Sequence, residues 1–113
     1  MSDSDLKARA KKFFFSVLKI LKRRNKDVIS VEIIRQLVRS SGSVSANSRA
    51  MFRARSRKEY FAKLGIVIEE SDECVLWLEA LLEYNSPYSK EIKDLMDEAN
   101  QLTAIFVSLY KRR

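Results

Sequence analysis

The sequence predicts an all-α protein, an antiparallel four-helix bundle with an up-down-up-down arrangement. Three observations predict it. Glycine and proline are scarce, with 2 and 1 in 113 residues, 46% of the residues are hydrophobic, and apolar residues recur at three- and four-residue steps in four long segments. Sandwiches and barrels need a turn about every 8–12 residues, which this composition disfavours. At this length we expect a single domain that covers residues 1–113.

The first two helices are predicted over about residues 5–24 and 28–55. Ser4 is the expected N-cap of the first helix, with Asp5 favourable in its first turn. The second helix contains a run of small residues, 40–46, which alone would be interpreted as a loop. Because the apolar phase is kept on both sides of Gly42, we expect one continuous helix, at a cost of about 1 kcal/mol for the glycine. A break or kink near Gly42 is the alternative.

The third and fourth helices are predicted over about residues 57–84 and 89–111. Ser56 is the expected N-cap of the third, and Glu59 completes a capping box three residues later. Pro87 separates the two helices, since proline cannot continue the helical hydrogen bonds. The core-facing residues predicted for the first helix are Leu6, Ala10, Phe13, Phe14, Val17, Leu18 and Leu21. Those predicted for the second helix are Val31, Ile34, Leu37, Val38, Ser41, Val44, Ser45, Ser48, Met51 and Phe52. Those of the third are Tyr60, Phe61, Leu64, Val67, Ile68, Ser71, Cys74, Val75, Leu78, Leu81 and Leu82. Those of the fourth are Ile92, Leu95, Met96, Ala99, Leu102, Ile105, Phe106 and Leu109.

The charge of the chain is divided between its two halves. Residues 1–63 carry 17 Lys and Arg against 5 Asp and Glu, a net +12, whereas residues 64–113 carry 5 against 10, a net −5. Two interpretations are open. The halves attract one another within or between subunits, or the basic half faces an acidic partner.

The sequence contains few of the residues from which catalytic and metal sites are built. There is no histidine and one cysteine, which nearly excludes zinc, haem and iron–sulfur sites and makes Ser-His-Asp or Cys-His arrangements impossible. The carboxylates Glu69, Glu70, Asp72 and Glu73 could hold Mg²⁺, but we interpret them as an exposed acidic face. We therefore expect no enzyme, no metal and no cofactor.

The location follows from the same composition. No signal peptide is recognisable, and no apolar run approaches the ~20 residues that span a bilayer. A lone Cys74 in an apolar stretch is typical of a small core residue in a reducing compartment, with a reactive thiol as the alternative. We expect a cytoplasmic protein with no membrane partner.

Arginines on the second helix are the candidate nucleic-acid-binding residues. Steps of 4, 10 and 4 residues place Arg35, Arg39, Arg49 and Arg53 on one face of a continuous helix. Their planar guanidinium groups suit phosphate oxygens. The alternative is a solvated face, or arginines that pair with the acidic third and fourth helices. A denser run at the corner between helices two and three adds Arg55, Arg57 and Lys58, with a charged, solvated turn as its alternative.

Two aromatic residues are candidates for a subunit interface. Three successive phenylalanines, Phe13 to Phe15, point in three directions, so that one must face away from the core; we take Phe15 as this residue. Trp77 lies beside Leu78 and Leu81, as expected of a core or interface anchor. For Phe15 the alternative is a partly covered surface aromatic.

Five segments of the chain resemble a known family. They are Arg35–Asn47, Arg53–Ser56, Glu59–Phe61, Lys63–Leu64 and Trp77–Leu82. Together they resemble the bacterial four-helix-bundle protein family, which includes proteins encoded within intervening sequences of 23S ribosomal RNA genes. The chain is also similar to the accessory variability determinant of diversity-generating retroelements. It departs from the family pattern at Ser48, where an aromatic residue is frequent, and at Ala50, where a glutamate is frequent.

The resemblance has consequences for function. It implies a homopentameric ring, a basic surface that binds RNA or DNA, no catalysis and, in the retroelement branch, a reverse transcriptase as partner. We therefore expect a non-catalytic, homo-oligomeric nucleic-acid-binding protein. The alternative is a protein–protein adaptor or structural ring with no nucleic-acid role, in which the charge asymmetry holds subunits together.

Overall fold

Four helices form an antiparallel up-down-up-down bundle, as predicted. In the computed structural model, which describes residues 1–22, 26–84 and 87–112, they are α1 (Asp3–Leu21), α2 (Val28–Phe52), α3 (Arg57–Glu83) and α4 (Ser89–Lys111). Each helix packs against the next along the chain, and α4 closes the bundle against α1. The contact between α2 and α3 is the most extensive and that between α1 and α4 the smallest. The result is a rod of 44 × 22 × 19 Å.

Side-chain caps fix the starts of three helices. Ser2 caps α1, so the predicted cap at Ser4 is wrong. The reason lies in the spacing: Ser2 and Asp5 each accept the other's backbone N–H, at 3.0 and 3.1 Å, and complete a capping box. Asp27 caps α2 through the N–H of Ser30. Ser56 caps α3 as predicted, but only its own half of the box, the bond from the Glu59 N–H, is present.

The second helix is continuous through Gly42, as predicted. A Cβ at position 42 would lie 3.3 Å from the ring of Phe14, so the glycine lets α1 approach α2 at this point. The helix ends at Phe52, three residues before the predicted end at Arg55. Arg53 already has a non-helical backbone, and Ser56 must be extended to cap α3, so the residues between them form the turn. The predicted end of α1 at Arg24 lies outside the described residues.

The core runs along the whole bundle axis. Its largest fully buried side chains include Phe106, Leu37, Met51, Leu64 and Leu78. Leu18 is an exception among the predicted core residues, since it is 37% exposed on the flank of α1, and the side chain of Leu21 lies outside the described part.

Small polar residues share the core with these apolar side chains. Ser41 donates to the carbonyl of Leu37 at 2.7 Å, and Ser48 to that of Ser45 at 2.8 Å. Thr103 of α4 donates to Ser71 of α3 at 2.9 Å. Each hydroxyl thus finds a partner, and the small side chains allow close packing of α2 against its neighbours. Over the described residues, none of the helices is both long and apolar enough to cross a membrane.

Candidate nucleic-acid-binding surface

Three of the four candidate arginines, Arg35, Arg39 and Arg49, lie on α2, and Arg53 follows its last residue; the four differ in their surroundings. Arg35, Arg49 and Arg53 are exposed, and none of the ion pairs among the described residues involves Arg49 or Arg53. Arg35 pairs with Glu32 of its own helix at 3.2 Å, with both side chains mostly in solvent. Such a pair contributes about 0–1 kcal/mol and leaves the guanidinium able to exchange partners.

Arg39 forms ion pairs with two carboxylates of α3. Its Nη1 donates to Glu70 and its Nη2 to Glu73, both at 2.9 Å, and Nη2 also reaches the Ser40 hydroxyl at 3.2 Å. Glu70 is 8% exposed, so the expectation that it belongs to an exposed acidic face is wrong for this residue. For Arg39 the structure therefore favours the alternative left open by the sequence, pairing within the protein.

The pKa values of the two carboxyl groups that Arg39 binds are shifted in opposite directions. Burial raises the pKa of Glu70, but hydrogen bonds with Glu73, Ser43 and Arg39 together hold it below its usual value. The pKa of Glu73 is raised, first by its hydrogen-bonded neighbour Glu70 and then by burial. One guanidinium thus compensates two adjacent carboxylates, which makes this cluster a stabilising link between α2 and α3.

The corner between α2 and α3 places its cations at one end of the rod. Arg57 lies over the ring of Phe61, 4.8 Å from its centroid, and Lys58 is exposed. Arg55 is 91% exposed and lies 3.9 Å from Glu59, at the limit of an ion pair. A guanidinium stacked on an aromatic ring keeps its N–H edge available for phosphate. The corner therefore offers three cations to solvent, separate from the outer face of α2.

The first helix adds a feature that arginine spacing on α2 did not indicate. Phe15 faces outward, as expected, and is 49% exposed. Lys11, Lys12 and Lys19 surround it, and Lys11 also lines a cleft between α1 and α2 together with Arg49. The steps of four residues from Lys11 to Phe15 and on to Lys19 were the available signal, because they place all three on one side of a helix.

Trp77 is half-buried against the core. Its Nε1 has no partner with hydrogen-bond geometry among the described residues, although its N–H lies close enough to the Glu73 carboxylate to lower the pKa of that group. The side chain therefore anchors the α3 flank beside the Arg39 cluster.

No metal centre is apparent in the described part of the chain. None of its acidic or cysteine side chains form a group of three that could hold a metal ion. Cys74 is fully buried, and burial raises the pKa of its thiol to about 12.

Comparison with known proteins agrees with the resemblance seen in the sequence. Residues 2–108 match the family of 23S rRNA-intervening sequence proteins. The structure is similar to that of a protein of unknown function from the S23 ribosomal protein family of Bacteroides thetaiotaomicron, with a TM-score of 0.85 and 25% sequence identity over 98% of this chain and 99% of that chain. A search of curated proteins gave no match. The chain therefore belongs to the 23S rRNA-intervening sequence protein family.

Proposed function

We propose that this protein is a non-catalytic nucleic-acid-binding protein, which holds the phosphate backbone of RNA or DNA against the outer face of α1 and α2. One observation carries the proposal: Lys11 and Arg49, from two different helices, line the same cleft, and no acidic side chain is among the described residues that line it. Lys19, Arg35 and Arg53 extend this surface in solvent. We call these five residues the basic face.

The dimensions of the basic face suit a strand of several nucleotides. Arg53 directly follows the last residue of α2 and lies eighteen positions after Arg35, which corresponds to about 27 Å along the helix axis. At about 3.4 Å per nucleotide, the rise of one strand within a stacked double helix, this corresponds to roughly eight nucleotides. Cations that contact phosphates alone do not distinguish bases, so binding should be tolerant of sequence and sensitive to salt.

Titration of a labelled strand at two salt concentrations tests the proposal. Four of the five cations engaged with single-stranded phosphates predict a slope of about −3 in log affinity against log salt between about 50 and 200 mM. The test variant removes three charges of the basic face: Arg35→Ser, Arg49→Ser and Arg53→Ser. The matched control removes three exposed lysines of α4: Lys90→Ser, Lys93→Ser and Lys111→Ser.

The two triple variants have the same net charge, so that they separate a located surface from a general attraction. We expect the α2 variant to lose about tenfold or more in affinity at low salt and to show a shallower salt slope. The control should change affinity by less than about threefold, since its lysines lie on another helix. Equal losses in both variants, or no binding by the unaltered protein at low salt, would count against the proposal.

We also propose that the protein acts as a homo-oligomer. A pentameric ring and partnership with a reverse transcriptase or an RNA element are what the family resemblance implies. Trp77 supports a subunit contact on α3, where a half-buried indole shares one helix with the exposed side chains of Ile66 and Leu76. Light scattering coupled to size exclusion measures the number of subunits, and a monomer would rule out this part of the proposal.

The alternative function is an adaptor or structural ring without a nucleic-acid role. It is favoured by the outer face of α3, where Leu76 is 53% exposed between the carboxylates of Asp72 and Glu79. An apolar residue within an acidic surface would suit Phe15 and its lysines on a neighbouring subunit. Loss of assembly in the triple arginine variant, with little change in nucleic-acid binding, would favour this alternative.

A further inference from the structure

The cleft between α1 and α2 combines aromatic rings with cations. It has a volume of about 300 Å³, and its described lining consists of Lys11, Phe14, Phe15, Gly42, Ser45, Ala46 and Arg49. Its lining from α2 consists mainly of small residues, and each of the two helices contributes one cation. The volume is at the lower end of the range for ligand sites, which suits a small planar group.

The two phenylalanine rings in this cleft are held in position by α2 and by each other. Gly42 allows Phe14 to lie directly on α2, where a Cβ would come within 3.3 Å of the ring. Phe14 in turn contacts Phe15, with centroids 5.9 Å apart and ring planes tilted by 52°. Phe15 is therefore supported on one side and 49% exposed on the other. A supported ring with an open face can stack with a flat ligand without reorganising the core.

The cations of the cleft are available to an anion. Lys11 places its Nζ 5.8 Å from the centroid of Phe15, a weak contact that a ligand can replace. Arg49 makes none of the ion pairs found among the described residues. The groove between α1 and α4 is a useful contrast, because there Arg9 is held by Glu98 through bonds of 2.7 and 2.8 Å.

We propose that this cleft binds one unpaired nucleotide of a single strand, with its base stacked on Phe15 and its phosphate between Lys11 and Arg49. The inference rests on the proposed function and adds the class of nucleic acid, single-stranded in preference to duplex. Bases in a duplex are already stacked on their neighbours and paired, so they are not free to stack on Phe15, and a duplex would use only the cations. A single strand would use both the cations and the ring.

Equilibrium binding of four probes tests the inference. The probes are oligo(dT), oligo(U), an abasic strand of the same length and a DNA duplex of that length, each about 20 nucleotides or base pairs and measured by fluorescence anisotropy at low salt. Phe15→Ala removes the stacking surface, and Ala46→Leu places a larger side chain in the cleft with no change in charge. Ile29→Ala is the matched control, since Ile29 is similarly exposed at the start of α2, away from the cleft.

We expect Phe15→Ala and Ala46→Leu each to weaken binding of oligo(dT) and oligo(U) by roughly fivefold to thirtyfold. This is in the lower part of the range for removal of a stacked aromatic ring. Their affinity for the abasic strand and for the duplex should stay within about twofold of the unaltered protein, because phosphate contacts are kept. The control should leave all four affinities within the same margin. Phe15 and Ala46 are both exposed, so the variants should remain folded, which circular dichroism checks.

Results that contradict this inference can be distinguished from results that contradict the proposed function. If the abasic strand binds as tightly as oligo(dT), or if Phe15→Ala weakens duplex and single strand equally, the base is not bound in the cleft, although a phosphate-binding face would stand. If Phe15→Ala changes the number of subunits measured by light scattering, Phe15 is a subunit contact and the inference is overturned. If no probe binds, the proposed function itself fails.

Discussion

Replacing Arg39 by alanine should destabilise the bundle far more than replacing Arg35, although both arginines lie on α2 and both form ion pairs. Removal of Arg39 leaves Glu70, whose side chain is 11% exposed, without its cation. Glu73 is 40% exposed and can recover hydration. The partner of Arg35, Glu32, is 56% exposed, so its charge is already solvated. The two substitutions therefore differ mainly in the burial of the carboxylate left behind.

The magnitude follows from that difference. Breaking a fully buried pair by removing one partner costs about 3–5 kcal/mol. Arg39 itself is 53% exposed, so water screens part of this interaction, and we expect Arg39→Ala to lower the free energy of unfolding by about 1.5–2.5 kcal/mol. Arg35→Ala should cost less than about 0.5 kcal/mol. Changing Glu70 to glutamine in the Arg39→Ala background removes the uncompensated charge and should recover about half of the loss.

The pH dependence provides a second measurement of the same cluster. With Arg39 present, the pKa of Glu70 is held below its usual 4.5, so this group stabilises the fold above that pH and loses the contribution as the pH falls through the lower value. Without Arg39, one of the influences that lower the pKa of Glu70 and of Glu73 is lost, so the pKa of each group rises. The folded variant then takes up a proton more readily than the folded unaltered protein, and the difference in stability between the two should narrow from about pH 7.5 to about pH 5.

Urea denaturation followed by far-ultraviolet circular dichroism measures both effects. Equal losses for Arg39→Ala and Arg35→Ala would refute the reasoning, as would a gap that is the same at both pH values. The fluorescence of Trp77 offers an independent signal, since its indole N–H lies beside Glu73.

Further expected outcomes concern positions outside this cluster. Gly65→Ala should raise the free energy of unfolding by about 0.5–1 kcal/mol with an unchanged denaturant slope, because nothing lies within 4 Å of the added methyl group. A lower free energy of unfolding would contradict the open surroundings of this glycine. Ser56→Ala should cost about 1 kcal/mol through loss of the cap on the Glu59 N–H, against less than about 0.5 kcal/mol for the exposed control Ser108→Ala. Burial raises the pKa of Cys74 to about 12, so a thiol reagent at about pH 8 should label it only as fast as the bundle opens; a rapid phase in the folded protein would contradict this.

The helices could be predicted because their signals are local. The apolar phase identified a continuous helix through Gly42, and the outward direction of Phe15 followed from three consecutive phenylalanines on one helix. The errors were local too. Two serines near the N-terminus compete to cap α1, and only the spacing from Ser2 to Asp5 completes a box. The end of α2 at Phe52 depends on the extended backbone that Ser56 needs for the next helix.

The surface was harder to predict because it depends on which helices meet. Arg39 and Arg49 are equivalent by spacing on α2. Arg39 lies at the contact with α3, where it forms ion pairs with Glu70 and Glu73. Arg49 lines the cleft with α1, where Lys11 adds a second cation. The sequence contains no signal for this difference until the order of the helices around the bundle is known. The family resemblance likewise indicates a basic surface but not the cleft with Phe15.

The unequal seams of the bundle have a kinetic consequence. The hairpin of α2 and α3 joins neighbours in sequence through the largest contact, whereas α1 meets α4 through the smallest, secured by Arg9 and Glu98. Contacts that close short loops form early, so we expect this hairpin to form the folding nucleus and α1 to dock onto it late. In native-state hydrogen exchange, the amides of α1 should accordingly open before those of α2 and α3. A strand held in the cleft would then protect the least stable helix, so that nucleic-acid occupancy could be followed as slower exchange along α1.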